Sequence, residues 1–367
     1  MSTSRIFYQV LGCAVGPSPA TGYQFATGFN NVYTGANSGT NLIQQLQRMQ
    51  SITDDFGINR TNINQLGQLS ILSREIIDAP TVNLGGSYYV ADLSNERVLG
   101  LYVSGDQAAL TNILNKSQAE KNYWIAVAPQ GVDLVNWTGQ SQAFLVSNGF
   151  LGSWSTEGSV GNIPTTSFTV QGFNWATYTG SKNQPLYAIN PNTSALISGV
   201  NFTLPVFTTG ITNTVAALRP IDTTIDISNS ALGLDASDIK LQSYSISFDL
   251  NLQPLQKMGN RFPYSREISF PVSLSASVSA YFGDVITGSL STILCNDSPY
   301  TLRINVKDPC SDTVAVQYTV KGAKPDTQSF SQMDIGSIAS LVSINYTTTI
   351  GGPNDQENNL FLSGRNI

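Results

Sequence analysis

Residues 243–268 read SYSISFDLNLQPLQKMGNRFPYSREI and residues 51–76 read SITDDFGINRTNINQLGQLSILSREI; they align without a gap at an offset of 192, 243 against 51. Ser51/Ser243, Phe56/Phe248, Asn59/Asn251, Gly67/Gly259, Ser73/Ser265, Arg74/Arg266, Glu75/Glu267 and Ile76/Ile268 are identical pairs. Between them Ile58/Leu250, Ile63/Leu255 and Leu66/Met258 keep the apolar character. Such an ordered match marks one structural unit present twice, and an internal repeat organises everything else in the chain. In the second copy Tyr244, Ile246, Phe248, Leu250 and Leu252 alternate with polar residues, the period of a half-buried strand. Residues 268–281 repeat the alternation, and YTLRINVKD (300–308), DTVAVQYTVKG (312–322) and LVSINYTTTI (341–350) continue it. YWIAVA (123–128), SQAFLVSNG (141–149) and TSFTVQGFNW (166–175) stand in the corresponding places of the first copy.

Outward from the core match, a one-residue adjustment sets Pro80, Val82 and Leu84 against Pro271, Val272 and Leu274. Leu110, Ile113 and Leu114 then match Leu290, Ile293 and Leu294, and Tyr123 falls near Tyr300. Helical spacing in Leu42, Ile43, Leu46 and Met49, and again from Gln107 to Leu114, predicts short helices packed on the strands. Turns are expected at Gly283-Asp284, at Asp308-Pro309 and at Gly322, and Gly67 and Gly259 are expected to sit in tight turns with positive φ. The Gly-, Asn-, Pro- and Ser-rich stretch 177–198 reads as a connection, which divides the chain into residues 1–190, residues 191–350 and a flexible C-terminal arm, 351–367, polar but for a small apolar patch at Leu360-Phe361-Leu362. The expected fold class is mainly β: two tandem β-sandwich or barrel domains, each with a short flanking α-helix.

Composition narrows the function. Only 11% of the 367 residues are charged, against about 25% in ordinary soluble domains. A surface so poor in charge suits a subunit covered by copies of itself. The net charge of −6 argues against a grip on nucleic acid, which needs clustered Lys and Arg. The absence of histidine removes His-activated nucleophiles, His-ligated zinc and imidazole acid–base chemistry. Cys13, Cys295 and Cys310 form neither a CxxC pair nor an even set, so free thiols are expected, and no cofactor or metal. No apolar run reaches the length of a membrane span. Paired carboxylates remain conceivable at Asp54-Asp55 or Asp235 with Asp238, but neighbours on a strand face opposite ways and cannot share one sugar. The expectation is therefore a protein that is not an enzyme.

The alternating strand ending in Asn, the apolar-Gly turn (Leu66-Gly67, Met258-Gly259), the Arg-Glu doublet and the Pro-led β-segment resemble the tail tube proteins of long-tailed bacteriophages. The second copy carries the resemblance best, over roughly 240–350; the first departs from it at Gly85-Gly86, set against Ser275-Ala276. The resemblance implies a virion structural protein of the phage tail, assembled in the host cytoplasm. Its domains would close as rings of six, three chains to a ring, and the rings would stack into a tube for genome ejection. Its partners would be itself, other tail proteins and double-stranded DNA passing without specific binding, with no membrane. Arg74, Glu75, Arg266 and Glu267 are candidate inter-domain contacts, because a doublet recurs at one place in both copies. Ser269, Ser273, Ser275, Ser277 and Ser279 are expected on a polar face toward the lumen, together with the counterpart 81–89. Other phage structural proteins, such as a baseplate hub or capsid protein, and a carbohydrate-binding β-sandwich adhesin are the alternatives.

Overall fold

A computed structural model of the chain describes residues 8–17, 44–116, 119–129, 131, 133–134, 141–180, 185–189, 196–201, 218–228, 240–281, 299–309, 311, 313–330 and 341–364. The fold is mainly β, as expected. The first half contains β1 (Tyr8–Pro17), β2 (Gln44–Gln45), β3 (Met49–Gly57), β4 (Arg60–Ile63), β5 (Ser73–Ile76) and β6 (Thr81–Tyr89). Two short helices follow, α1 (Ser94–Leu99) and α2 (Thr111–Leu114), then β7 (Glu120–Pro129), β8 (Ser141–Ser159), β9 (Thr165–Gly172) and β10 (Asn174–Gly180). A separate hairpin, β11 (Pro185–Ile189) with β12 (Leu196–Asn201), comes next. The second half contains β13 (Thr223–Ser228), β14 (Leu241–Asp249), β15 (Leu252–Leu255), β16 (Ser265–Ile268) and β17 (Val272–Tyr281). It ends with β18 (Tyr300–Lys307), β19 (Val314–Phe330), β20 (Leu341–Ile350) and β21 (Leu360–Gly364).

The pairing repeats between the halves strand for strand. β3-β6-β9-β8 corresponds to β14-β17-β20-β19, β1-β7-β8-β10 to β13-β18-β19-β21, and the hairpin β4-β5 to β15-β16. Even the irregularities recur, since the β3/β6 register slips between Met49 and Ser51 and the β14/β17 register between Leu241 and Ser243. The register also corrects the alignment. Phe56 faces Val82 and Phe248 faces Leu274, so the offset of 192 runs on through these strands without adjustment, and Gly85-Gly86 corresponds to Ser277-Val278. Tyr300 likewise corresponds to Lys121, through their partners Ala323 and Gly149.

Each half packs two sheets face to face, because the strands that form them turn one apolar side inward. Val272, Leu274, Ala276, Val278 and Ala280 of β17 are buried, as are Tyr300, Leu302, Ile304 and Val306 of β18. The Tyr300 and Tyr346 rings meet edge to face across that gap, centroids 6.4 Å apart. β8 and β19 are long because each serves both sheets, its first part pairing in one and its last part in the other. The change of sheet happens at a residue with positive φ, Asn148 (50°) in β8 and Gly322 (71°) in β19, beside a register shift in both. Gly322 is therefore a bulge inside a strand and not the expected turn. A side chain there would run into Asn358 and come within 2.9 Å of the Glu357 carbonyl oxygen. Gly67 and Gly259 do occupy turns with φ of 88° and 87°.

Four other expectations need correction. Residues 44–49 are not helical: Leu46 is buried and donates its N–H to the Cys13 carbonyl at 2.8 Å, while Met49 opens β3. Apolar spacing there comes from two separate packing tasks; Leu42 and Ile43 lie outside the described residues. The 107–114 helix is a single turn, although Leu110, Ile113 and Leu114 are buried as its spacing requires, and Leu290, Ile293 and Leu294 lie outside the described residues. The connection 177–198 carries the end of β10 and most of a hairpin, and the boundary at 190–191 itself falls outside the described residues. The C-terminal arm is a strand: β21 pairs with β19 and buries Leu360, Phe361 and Leu362, so the second copy runs on to Gly364.

Candidate assembly interface

The two halves meet where β14 pairs antiparallel with the last part of β8, Ser243 opposite Ser159 through Asp249 opposite Ser153. The pairing continues past the strand end, the Leu250 N–H donating to the Gly152 carbonyl at 2.7 Å. Phe248 stacks on Trp154 across this seam, centroids 5.6 Å apart. Such a pair adds about 0.5–1.5 kcal/mol beyond its buried area. The result is one continuous sheet in the order β3-β6-β9-β8-β14-β17-β20-β19. Among the described residues, β3 is paired with β6 alone and β19, from Lys324 on, with β20 alone.

One face of this sheet is core and the other is polar. Ser273, Ser275, Ser277 and Ser279 alternate outward along β17, which places four of the expected serines together. Ser269 is not with them, because the strand begins at Val272 and Ser269 lies in the connection from β16. The alternation breaks at Phe270-Pro271, and Phe270 is exposed instead of facing the core with Val272. On β6, Thr81, Asn83, Gly85 and Ser87 share the same outward side. Hydroxyls bridge neighbouring strands across the face: Ser51 with Ser87 at 2.6 Å, Ser153 with Thr169 at 2.7 Å, Ser247 with Ser275 at 2.9 Å and Ser279 with Ser343 at 2.6 Å. Asp55, Glu157 and Asp249 contribute carboxylates, and at the β19 edge Asp326 and Lys324 stand on the same side, around Thr347. Asp54 faces the other way, accepting a bond from Trp175 Nε1 at 2.7 Å, so the Asp54-Asp55 pair is split between faces. Asp235 and Asp238 lie outside the described residues.

The Arg-Glu doublets behave differently in the two copies. Arg266, on β16, is buried against the first half: its guanidinium donates to Gln171 Oε1 at 2.9 Å and to the Gly172 carbonyl at 3.1 Å, over the ring of Phe173. Burial lowers its pKa to about 10. Glu267 takes Lys116 Nζ at 2.6 Å. Arg74 and Glu75, at the same places on β5, are exposed, and Arg74 bonds only within its own hairpin among the described residues, to Asn62 Oδ1 at 3.1 Å. Recurrence of the doublet singled these four residues out. Their partners Lys116, Gln171 and Phe173 carried no such signal, being scattered in sequence and assembled only by the fold.

No known protein family and no curated protein matches the chain. Solved structures similar to it include two chains of the anti-feeding prophage. One is a chain of the anti-feeding prophage baseplate, 16% identical over 35% of this chain and 91% of its own, with a TM-score of 0.26. The other is a chain of the tube-terminating cap of the anti-feeding prophage, 10% identical over 43% of this chain and 99% of its own, also with a TM-score of 0.26.

Proposed function

We propose that the chain is a structural protein of a phage tail, forming rings that stack into the tail tube, with three chains supplying the six places of each ring. One observation carries this reading: the internal seam already joins two copies of the unit into one sheet, whose two outer edges are the repeat counterparts of the strands joined at that seam. Unpaired strand edges recruit further strands, and a head-to-tail contact repeated around an axis leaves none free. The polar face then lines the channel. Hydroxyls bridged to one another and carboxylates dominate this face, with Lys324 opposite Thr347 as a cation at its β19 edge, so passing DNA meets few cationic anchors and the genome slides toward ejection without being held. Other tail proteins are its partners at the ends of the tube, the virion is its place, and no catalytic step is assigned to it. Negative-stain imaging and native mass spectrometry of the purified chain test this: rings or tubes with three chains per ring are expected, and monomers or six chains per ring overturn it.

A further inference from the structure

The seam inside the chain also specifies the seam between chains. Residues that the second copy buries against the first are exposed on the first copy: Phe56 is 53% exposed against 3% for Phe248, and Ile58 41% against 0% for Leu250. The same holds for the doublet, Arg266 buried and Arg74 exposed. These are not different surfaces but one surface, covered once and left open once. The matching receptor is also present twice. Gly172 faces Val82 and Thr348 faces Leu274, which makes Gln171 and Thr347 counterparts. The unpaired bulge residue of β8, Gly152, between Leu151 and Ser153, corresponds to Asp326, between Pro325 and Thr327 on β19. Asp326 accepts a bond from Thr347 Oγ1 at 2.6 Å, so a carboxylate stands beside the counterpart of the neutral Gln171 that Arg266 meets in the first half.

We propose that the occupant of the open surface is a second copy of this chain: β3 of one molecule adds to the free edge of β19 of the next, with Asp55 opposite Ser329 as Ser247 is opposite Ser155. Arg74 then enters the Asp326–Thr347 site as an ion pair, and Ile58 donates its N–H to the Asp326 carbonyl as Leu250 does to Gly152. Opposite charge at Arg74 and Asp326 sets the register, because a shift along the strands separates the two and a slip of one residue reverses every side chain. This rests on the ring-forming reading above and names its contact.

The test uses the full chain with Cys295→Ser and Cys310→Ser, adding Asp55→Cys and Ser329→Cys. Oxidation of assembled protein should give covalent oligomers ending at three chains, and moving the second cysteine to Thr327 should lower the yield about tenfold. Arg74→Asp and Asp326→Arg should each lower the assembled fraction about tenfold or more while leaving the melting of the single chain unchanged, and combining them should restore assembly. Tubes that form normally without the 55–329 cross-link, or that ignore both charge changes, overturn this contact and leave the tube reading standing. A wild-type chain that never assembles overturns the tube reading, and with it this one.

Discussion

Glu96 is a carboxyl closed inside the first half, its Oε1 accepting a bond from the Tyr88 hydroxyl at 2.9 Å. Burial, the larger cause, raises its pKa from 4.5 to about 8, helped by Asp92 nearby. Below about 4.5 the group is neutral folded or unfolded. As pH rises from there to about 8, the unfolded chain sheds the proton while the folded chain keeps it. Stability therefore falls, by about 1.4 kcal/mol for each unit of pH in that window. Glu96→Gln keeps a neutral partner for Tyr88 and should flatten the decline, so thermal melts at pH 5 and pH 8 should lie closer together in the variant than in the wild type. Equal spacing in both proteins would contradict the burial argument. Gly322 is the other decisive single residue, set by φ of 71° and by the approach of Glu357 and Asn358. Gly322→Ala should cost about 1–3 kcal/mol, measured by urea titration. Asn148, at the same bulge in β8, is one of the few residue types that tolerates positive φ, and Asn148→Gly should lose less stability than Asn148→Val.

The seam strands supply the tests at the scale of elements. Arg266→Ala strips the Gly172 carbonyl of a donor and Gln171 of its partner, and should destabilise the single chain by about 1–3 kcal/mol. Arg74→Ala should leave the melting of the single chain where it is, although the two residues are identical in type and in place on their hairpins. Equal losses would mean that the doublets serve hairpin stability alone. The same contrast shows what sequence can and cannot reveal. The alternation of β14, β17 and β20 was legible because each has one buried side, and a period of two leaves no other reading. At 42–49 the signal misled, because Leu46 and Met49 belong to different strand contacts that happen to fall at helical spacing. Gly322 looked like a turn because a glycine between apolar runs signals either a turn or a bulge, and only the pairing of Tyr300 and Leu302 tells them apart. The strand 360–364 was hidden by the polar loop before it, which places Asn359 and Leu360 against β19 from far along the chain. Of the candidate interface, the repeated doublet was visible and its receptor was not.

For the molecule as a whole, the balance of charge on the polar face is the property that matters. In the proposed tube, Glu157→Lys with Asp249→Lys leaves every strand pairing in place but sets cations on the wall. Assembled variant tubes should retain short double-stranded DNA in a manner that weakens steeply with salt, while wild-type tubes retain none. Retention by wild-type tubes at low salt would contradict an inert wall. The internal seam has a further effect in such a ring, on how it is born. Half of the seams are closed before two molecules meet, since β14 is tethered to β8 by the chain itself and finds it at a high effective concentration. A ring filled by three bodies nucleates with roughly the third power of concentration, not the sixth expected for single-unit subunits. Fusion of two copies thus lets tubes start at far lower subunit levels, and leaves a polymer that dissociates into pairs of units and never into single ones.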